Sequence, residues 1–513
     1  MSSRRVAQSV LRGAMACWLA TGAQSCARDR SRDPAGSPPS KGSASGILAA
    51  TAAGSIDAYV KPFEAGRNFS GTILVAKGRR IAFLRSYGKA DAELGVANSP
   101  RTKFAIASIT KTFTAAAVLL LAERGALSVT DRVSRFIPDY PHGDAISLHQ
   151  LLSHTSGVKN FFEVKNFEAV AAKPHTLPQL IASFAHEPLY FAPGASYHYS
   201  NSNYALLAFV IEQVSHRSYA AFLEHEILGP LGLGETVQPE GEVPIAQRAK
   251  GYTPTGADGI ESARPVDSSI LVGSGSLYST AEDLLAWDRA LHSSTILGAR
   301  SRSRMFMPYQ HDMGYGWFVR KKQGRDVVEV NGELPGFTSS LIHFTAEDLV
   351  VIVLSNNNSM LSSQLADGVA AIALGEPQPN VQIASLRVDR GVVTPLLGRY
   401  RFGEDFYFSA NLVAVVGLDH EGRLRMDVKA ASPTYLYPQP DGSFVDRLFG
   451  GKVSFGRDAH GRATRLVWDL GQTFVAERLV DEPRVPGSAS GGSRRRQLSL
   501  PLASSTRTPG TTS

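Results

Sequence analysis

The sequence has 513 residues, of which 43% are hydrophobic, so it can bury a large core and should form more than one domain. Its formal net charge of +7 comes from the two ends, because residues 1–46 carry +5 and residues 485–513 carry +4, which leaves −2 for the body. A nucleic-acid-binding protein needs a basic face on its folded body, so this distribution argues against that class. The two cysteines, Cys17 and Cys26, lie near the N-terminus, which excludes disulfides and thiolate metal sites from the body.

Residues 1–25 have the features of an export signal, namely a positively charged start, a short apolar run and then small residues. Arg12 interrupts the apolar run, which is too short to span a bilayer. Two forms of processing remain open: cleavage after the small residues that end at Ala23, or attachment of a lipid to Cys26. We therefore expect an exported protein, periplasmic or extracellular, with a membrane tether if Cys26 is lipidated.

The rest of the chain divides into segments of different composition. The predicted organisation is a flexible tether over residues 26–46, a main body over 47–375, a linker over 376–392, an all-β domain over 393–480 and a disordered tail over 481–513. No internal repeat is present, and no apolar stretch is long enough to predict a transmembrane helix.

The main body opens with a β-hairpin, predicted over residues 71–87, in which two β-rich runs flank a turn at Gly78. An apolar, Ala- and Leu-rich helix without proline is predicted over residues 105–125, where Gly125 ends it. Further helices are predicted over 148–152, 202–215, 219–228, 281–291 and 360–374, and strands over 327–330, 339–344 and 349–354. Because the strands come from both ends of the body, we expect an α/β (α+β) fold with an antiparallel sheet, flanking helices and an inserted helical subdomain.

Beyond the linker, the pattern changes to short strands separated by glycine-containing turns. Strands are predicted over residues 412–418, 424–428, 452–455 and 465–468. This pattern predicts a small antiparallel barrel or sandwich as a separate C-terminal domain.

The start of the helix over residues 105–125 carries the first candidate for chemistry. Ser108 and Lys111 are three residues apart, which puts both side chains on one face of a helix with their Cβ atoms about 5–6 Å apart. A serine becomes a nucleophile when a neighbouring base takes its proton, and a lysine can be that base when burial lowers its pKa. The helix dipole would also stabilise an oxyanion that forms beside Ser108.

Two other Ser-x-x-Lys sequences occur, so the spacing alone does not select a nucleophile. Ser86 and Lys89 lie at the end of a predicted strand, whereas Ser156 and Lys159 lie in a polar loop with no apolar helix behind them. Neither pair has the buried helix that would desolvate the lysine, so we favour Ser108 as the nucleophile.

The second candidate is Tyr199-Ser200-Asn201, the only Tyr-x-Asn sequence in the chain, which precedes an amphipathic helix. A phenol held near Ser108 and Lys111 can relay a proton to or from a leaving group. An asparagine amide can bind a substrate carbonyl or hold the lysine. The alternatives are that Tyr199 is a packed aromatic residue and that Asn201 is a helix N-cap.

Several segments of the chain resemble the penicillin-recognising serine hydrolases, in particular the branch of class C β-lactamases, DD-peptidases and related esterases. The matching segments occur in the family's order over residues 57–356 and read FAIASITKTFTAAAV, LLSHTSG, PGASYHYSN, GSGSLYSTAEDLLAW and YGWF. The resemblance implies a sheet flanked by helices with a helical subdomain. It also implies that Ser108 is the acylated nucleophile and that Lys111 and Tyr199 are its acid/base partners. Asn201 would contact the substrate.

The third family motif departs from the family pattern in the segment EVNGELPGFTSS. Val330 stands where the family carries Lys or His near the substrate carboxylate. Valine supplies neither a charge nor a hydrogen bond, so we expect weaker recognition of a carboxylate-bearing β-lactam or peptide. The alternative is that Lys321 or Lys322 replaces the missing cation.

The same segment is expected to contribute substrate-binding positions at Gly332 and Glu333. The backbone N–H of Glu333 would pair with that of Ser108 to form an oxyanion hole. Backbone N–H groups form this hole, so it does not depend on the missing cation. Acyl transfer to a substrate therefore remains feasible.

Other hydrolase signatures are missing from the sequence, because it contains neither a Gly-x-Ser-x-Gly elbow nor a His-Glu-x-x-His pair. We expect neither a cofactor nor a metal, and we interpret His154 as a loop histidine that fixes the backbone. The favoured function is an exported serine hydrolase that forms an acyl-serine intermediate on an ester, amide or peptide. The alternative is a binding protein that keeps the fold to bind cell-wall fragments or a partner.

Overall fold

The computed structural model describes residues 50–479, except for 166, 172, 242, 265, 360, 378–382, 384–385, 405, 407–411, 429–432 and 471. The predicted export signal, the tether with Cys26 and the tail over 481–513 lie outside the described residues. None of the described helices is long and apolar enough to cross a bilayer.

One antiparallel sheet of six strands organises the body. The strands of the body are β1 (Gly71–Lys77), β2 (Arg80–Tyr87), β3 (Lys89–Asp91), β4 (Val96–Ala97), β5 (Phe104–Ala105), β6 (Tyr252–Thr255), β7 (Gly259–Ser262), β8 (Tyr278–Ser279), β9 (Phe318–Lys322), β10 (Arg325–Leu334), β11 (Phe337–Phe344) and β12 (Leu349–Ser355). The sheet has the order β2-β1-β12-β11-β10-β9. The N-terminal hairpin pairs with β12, so both ends of the body build the sheet, as the sequence predicts.

Helices cover both faces of this sheet and form the region inserted between its strands. They are α1 (Ala50–Ala65), α2 (Thr110–Glu123), α3 (Leu148–Leu152), α4 (Phe167–Ala171), α5 (Leu177–Ala182), α6 (Asn201–Ser215), α7 (Tyr219–Leu223), α8 (Gly229–Leu231), α9 (Ala281–His292), α10 (Ala299–Met305) and α11 (Leu361–Leu374). A further helix, α12 (Arg390–Val393), follows the body and packs in the core of the C-terminal domain through Val393. The helix predicted over 219–228 is divided, because α7 gives way to a π-helical turn, Glu224–Leu228. Pro230 lies in α8 directly after that turn and has no N–H to donate to the carbonyl four residues earlier.

The side chains of β12 show how the sheet separates two hydrophobic cores. Val350, Ile352 and Leu354 point to the core that contains α2, α6 and α9, whereas Val351 and Val353 point to the core that contains α1 and α11. A strand buried on both faces reads as a continuous apolar run, which is why LVVIVLS is hydrophobic at nearly every position. The α/β fold with flanking helices is therefore confirmed.

The C-terminal domain is a closed antiparallel barrel of eight strands. These strands are β13 (Gly398–Phe402), β14 (Val413–Leu418), β15 (Leu424–Val428), β16 (Thr434–Pro438), β17 (Phe444–Asp446), β18 (Lys452–Arg457), β19 (Ala463–Asp469) and β20 (Thr473–Arg478). The prediction of a small all-β domain is confirmed, although the sequence pattern indicated only four of the strands. The first strand, β13, pairs with the last strand, β20, and this pairing closes the barrel. The two strands lie at opposite ends of the domain sequence, so the sequence pattern could not decide between a barrel and a sandwich.

A buried arginine of the barrel makes several hydrogen bonds to the body. Arg447 is 1% exposed, and its guanidinium donates to Asn68 Oδ1 at 3.0 Å and to the carbonyl oxygens of Thr255 and Gly256 at 2.8 Å each. It also donates to the carbonyl of Gly259 at 3.1 Å. Because every acceptor belongs to the body, these hydrogen bonds fix the barrel against it.

A buried acid and two imidazoles join α9 to the sheet. Asp288 is 0% exposed, and its carboxylate lies 3.0 Å from Nδ1 of His343 on β11 and 3.3 Å from Nδ1 of His292, one turn along α9. Burial alone would raise the pKa of Asp288, but the hydrogen bonds from both imidazoles outweigh it and lower this pKa to about 2. Burial alone would lower the pKa of His292, and the carboxylate of Asp288 reverses that effect and raises it.

We expect the contribution of this cluster to the free energy of unfolding to be largest between about pH 4 and 6.5. The part from Asp288 is present above its unfolded pKa of 3.8 and is lost as pH falls towards 2. The part from His292 is complete below 6.5 and is lost as pH rises through the raised pKa of the folded state. The measurement is Tm against pH in the parent and in Asp288→Asn.

Asp326→Asn is the matched control, because Asp326 is 67% exposed and, among the described residues, forms its ion pair with the exposed Lys321. The loss of Tm relative to the parent, plotted against pH, should be bell-shaped for Asp288→Asn and flat for Asp326→Asn. A flat profile for Asp288→Asn would contradict this account of the cluster.

Candidate active site

Ser108 lies in a short 3-10 turn, Ala107–Ile109, that directly precedes α2. The sequence prediction placed Ser108 in the first turn of the α-helix itself, and that detail is wrong. The reason is the backbone of Ala107, whose positive φ of 47° delays the α-helical pattern to Thr110. A non-glycine residue with positive φ stores strain, and such strain is common beside functional groups.

Helix α2 itself is buried over nearly its whole length, as its apolar sequence predicts. Phe113 stacks on Trp287 with ring centroids 4.1 Å apart, and the Trp287 indole donates to Thr112 Oγ1 at 2.9 Å. Gly125 has a φ of 71° just past the end of α2, which is the left-handed conformation expected at this position. The rigid helix therefore fixes the residues at its N-terminus.

The Lys111 amine is 2% exposed and is surrounded by hydrogen-bond acceptors. Its Nζ lies 3.0 Å from Ser108 Oγ, 2.8 Å from Asn201 Oδ1 and 2.6 Å from the carbonyl oxygen of Ser274. Burial lowers its pKa well below the usual value for lysine, and no described carboxylate forms an ion pair with it to oppose that shift. A neutral amine 3.0 Å from a serine hydroxyl can accept its proton.

The Tyr199 hydroxyl approaches Ser108 from the other side. It donates to Ser108 Oγ at 2.8 Å, and Lys111 Nζ lies 4.9 Å from the centre of the Tyr199 ring. Burial raises the pKa of Tyr199, so the phenol keeps its proton and can deliver it. The structure thus brings together all three residues that the sequence placed in the acid/base system.

Asn201 holds the lysine rather than capping the helix. It is the first residue of α6, and the cap position is Ser200, whose side chain makes no capping hydrogen bond. The Asn201 amide oxygen accepts from Lys111, which leaves its Nδ2 group pointing away from that contact and 3.4 Å from Asn160 Oδ1. The predicted contact of Asn201 with substrate stays a prediction.

His154 has a larger part in the site than the sequence indicated. Its Nδ1 accepts the backbone N–H of Ser200 at 3.1 Å, which agrees with the prediction that it fixes the backbone. Its ring also stacks on Tyr199 with centroids 4.3 Å apart. Burial lowers the pKa of His154 well below its usual value, so the ring is neutral and packs against the phenol without repelling Lys111. The contact with Tyr199 is tertiary, so the local sequence did not indicate that His154 supports this ring. His154 also has a positive φ of 57°.

The third motif lies on β10 and borders the nucleophile. Gly332 is in close contact with the segment before Ser108, because a Cβ at this position would lie 2.3 Å from the carbonyl oxygen of Ile106. Val330 is 4% exposed and borders the same space as Ser108, Lys111 and Tyr199. The apolar Val330 therefore borders the Ser108 hydroxyl, at the position where the motif resemblance leads one to expect a cation.

The suggestion that Lys321 or Lys322 replaces that cation is wrong. Lys321 pairs with Asp326, and Lys322 pairs with Glu329 and Asp367. These carboxylates hold both amines at other positions on the sheet, away from the residues that surround Ser108.

One cleft is lined by four of the six predicted site residues, Ser108, Tyr199, Asn201 and Glu333. It is lined by Ala107, Ser108, Phe162, Tyr199, Asn201, Leu271, Ser274, Gly275, Glu333 and Leu334. Glu333 is thus placed in the cleft wall, while the oxyanion role of its N–H stays a prediction. The hydrolytic group and the expected oxyanion position share one small, partly apolar space, which suits an acyl group.

The other two Ser-x-x-Lys pairs have different partners. Ser156 donates to Asn203 Oδ1 at 2.6 Å, while Lys159 pairs with Glu187. Ser86 forms a hydrogen bond with Thr72 across the hairpin at 2.8 Å. Neither arrangement resembles the buried hydroxyl–amine pair of Ser108 and Lys111.

Among the described residues, the group with three side chains able to ligate a metal is the cluster of Asp288, His292 and His343. It lies on α9 and β11 and is not part of the cleft lining. Its carboxylate and imidazoles bind one another.

The family model described as Beta-lactamase matches residues 56–375, which is more than half of the chain. The chain belongs to the beta-lactamase family. The resemblance inferred from the motifs is confirmed, and membership of this family makes the protein a serine hydrolase. A penicillin-binding protein of Bacillus subtilis (strain 168) is 28% identical over 423 residues, which cover 76% of this chain and 91% of that protein.

Solved structures of the beta-lactamase fold agree with this assignment. A penicillin-binding protein from Bacillus halodurans is 28% identical with a TM-score of 0.54, over 62% of this chain and 97% of that chain. An octameric penicillin-binding protein homologue from Pyrococcus abyssi has a TM-score of 0.60 at 21% identity, over 83% of this chain and 99% of that chain. The second comparison supports the fold alone.

The lowered pKa of Lys111 predicts a pH dependence for this family member. The amine must be neutral to take the serine proton, so kcat/KM should fall as pH decreases through the lowered pKa. Lys111→Ala should reduce acylation by about 10²–10⁴-fold and abolish that limb of the profile. Stopped-flow acylation with an activated ester measures both effects. Lys159→Ala is the matched control, and an unchanged rate and profile in Lys111→Ala would exclude Lys111 as the base.

Proposed function

We propose that this protein is an exported hydrolase that acylates Ser108 with an ester, amide or peptide substrate and then hydrolyses the acyl-enzyme. The observation that carries the proposal is the pair of contacts on one hydroxyl: Lys111 Nζ at 3.0 Å and the Tyr199 hydroxyl at 2.8 Å from Ser108 Oγ. A serine that served only the fold would not need a buried base and a buried phenol on the same oxygen.

Acylation begins when neutral Lys111 takes the proton of Ser108 as its oxygen attacks the substrate carbonyl. The former carbonyl oxygen becomes negatively charged and is stabilised by the backbone N–H groups of Ser108 and Glu333. The bond to the leaving group then breaks as Tyr199 gives it a proton. The proton on Lys111 restores the Tyr199 hydroxyl, so the step ends with both groups neutral.

Deacylation uses the same residues with water as the nucleophile. Lys111 takes a proton from water while the water oxygen attacks the acyl carbonyl. The ester bond to Ser108 breaks, Ser108 Oγ receives the proton from Lys111, and the free acid leaves. Asn201 and the Ser274 carbonyl hold the amine in place during both steps.

Val330 makes substrates with a carboxylate next to the scissile bond less favourable. Valine provides neither a charge nor a hydrogen bond to such a carboxylate, and the amines of Lys321 and Lys322 form ion pairs at other positions. Esterase or peptidase activity is therefore favoured over efficient hydrolysis of β-lactams, even though relatives of this chain are penicillin-binding proteins. The N-terminal sequence supports a periplasmic or extracellular location, with lipidation of Cys26 as one form of attachment.

The first test of the proposal is turnover of a neutral activated ester by the full chain. The parent should release the alcohol and Ser108→Ala should not, because the acyl group then has no acceptor. Labelling with a fluorophosphonate followed by peptide mapping should modify Ser108. Ser156→Ala is the control and should retain activity. A parent that neither turns over the ester nor becomes labelled would favour the alternative, a binding protein for cell-wall fragments.

The second test compares substrates at Val330. A fixed cation gives a charge-assisted hydrogen bond to a carboxylate, so Val330→Lys or Val330→His should raise kcat/KM for a cephalosporin relative to a neutral ester by about tenfold or more. Val330→Met is the control, because it changes bulk without charge. A parent enzyme that already prefers the cephalosporin would contradict the proposed substrate class.

A further inference from the structure

The cluster of Asp288, His292 and His343 contains more ligating atoms than its internal hydrogen bonds use. Asp288 Oδ1 forms a hydrogen bond with His343 Nδ1 at 3.2 Å, whereas Oδ2 lies 3.0 Å from the same nitrogen without a hydrogen bond to any described residue. Nε2 of His292 is also buried without a hydrogen-bond partner in the described part of the chain. Buried polar atoms are almost always hydrogen-bonded, so two unpartnered atoms in one cluster indicate a partner that is absent from the folded chain.

The hydrogen bond of the other ring nitrogen shows which proton His292 carries. Nδ1 lies 2.9 Å from the backbone carbonyl oxygen of Asp288, and a carbonyl oxygen can only accept, so Nδ1 is the donor. The neutral imidazole then has its lone pair on Nε2, which is the unpartnered nitrogen. Histidine ligands of metal ions usually have this arrangement, in which a hydrogen bond from one ring nitrogen orients the other towards the ion.

The three side chains are spaced as ligands of one ion. One ligating atom from each side chain lies within 4.8 Å of the other two. The carboxylate of Asp288 lies 3.0 Å from Nδ1 of His343 and 3.3 Å from Nδ1 of His292. Neighbouring ligands of a tetrahedral zinc ion, with bonds of about 2.0–2.1 Å, are themselves about 3.3 Å apart. Small rotations of the side chains are therefore enough to place them around one ion.

Two regular elements carry these ligands. Asp288 and His292 are four residues apart on α9, which puts them on one face of the helix, and His343 lies on β11 of the central sheet. Two imidazoles and one carboxylate favour Zn²⁺ and similar transition metals over Mg²⁺ and Ca²⁺, which prefer oxygen ligands.

The cluster is also connected with solvent. His292 is 22% exposed, and Asp348, which is 68% exposed, has a carboxylate oxygen 3.9 Å from Nε2 of His343. These two residues give a cation from solvent a route to Asp288, which is itself fully buried.

We propose that Asp288, His292 and His343 form a structural binding site for Zn²⁺ or a similar divalent transition metal. The ion joins α9 to β11, and because the site exists only in the folded chain, the free energy of binding stabilises the fold. This inference does not depend on the proposed hydrolase activity, since the three residues are not part of the cleft lining.

The test measures the Tm of the full chain, treated with EDTA and then freed of the chelator, with and without ZnCl₂. Zinc at a hundred times its Kd should raise the Tm of the parent by about 3–10 °C, because a ligand that binds the folded state stabilises it. Isothermal titration gives this Kd and the number of zinc ions bound per chain. MgCl₂ at the same concentration should leave the Tm unchanged.

His292→Gln and His343→Gln should each lose the zinc-dependent rise in Tm and bind one zinc ion fewer per chain than the parent. The comparison is made between zinc-loaded and zinc-free samples of one variant, so a lower Tm of the variant itself does not affect it. His225→Gln is the control, because His225 is a 67% exposed imidazole beside the carboxylate of Glu226 and should keep the response of the parent.

A cooperative unfolding transition shows that each variant is folded. A zinc-dependent rise in Tm that persists in both cluster variants would place the ion at another site and overturn the inference. A parent that neither binds zinc nor gains Tm from it would also overturn it, and Asp288, His292 and His343 would then bind only one another.

Discussion

The candidate active site depends on the buried amine of Lys111 and on the exclusion of carboxylates from its immediate surroundings. Lys111 is surrounded by a hydroxyl, an amide oxygen and a backbone carbonyl, which come from the 3-10 turn before α2, the start of α6 and the segment before β8. Three neutral acceptors satisfy the amine without charging it. A carboxylate among them would raise its pKa and remove the base, so the absence of an ion pair among these contacts matters as much as the contacts themselves. The packing of the helices thus buries Lys111, and this burial lowers the pKa of its amine.

The sheet gives this amine its fixed surroundings. Strand β10 passes so close to the segment before Ser108 that Gly332 cannot carry a side chain, and β11 adds a hydrogen bond from Ser339 Oγ to the Ile106 carbonyl at 2.8 Å. On the other side, His154 supports both the backbone of Ser200 and the ring of Tyr199. Each catalytic group is therefore held by residues that do not react, which is how a site keeps a geometry within tenths of an ångström.

The charges around the cleft differ from those that the family motifs imply. An apolar Val330 stands where the family motif carries a cation. This difference removes the charge that would attract a carboxylate of the substrate. The contacts among Ser108, Lys111 and Tyr199 are unaffected, because they do not involve Val330. Reactivity and substrate preference are thus separable in this fold.

The sequence by itself determined the elements and the candidates for chemistry. The hairpin over 71–87, the helix that carries Lys111 and the strands β10 to β12 follow from local periodicity and turn residues, and Ser108, Lys111, Tyr199 and Asn201 follow from spacing and motif order. Only the tertiary structure decided the 3-10 turn at Ser108, the closed barrel, the partners of Lys321 and Lys322, and the stacking of His154 on Tyr199. These depend on contacts between residues far apart in the chain, and burial, which sets every pKa in the site, cannot be read from local sequence. The sequence identifies Lys111 and Tyr199 as candidates for the base and the acid. Only the packed fold shows that burial lowers the pKa of Lys111 and raises the pKa of Tyr199, so that both are neutral.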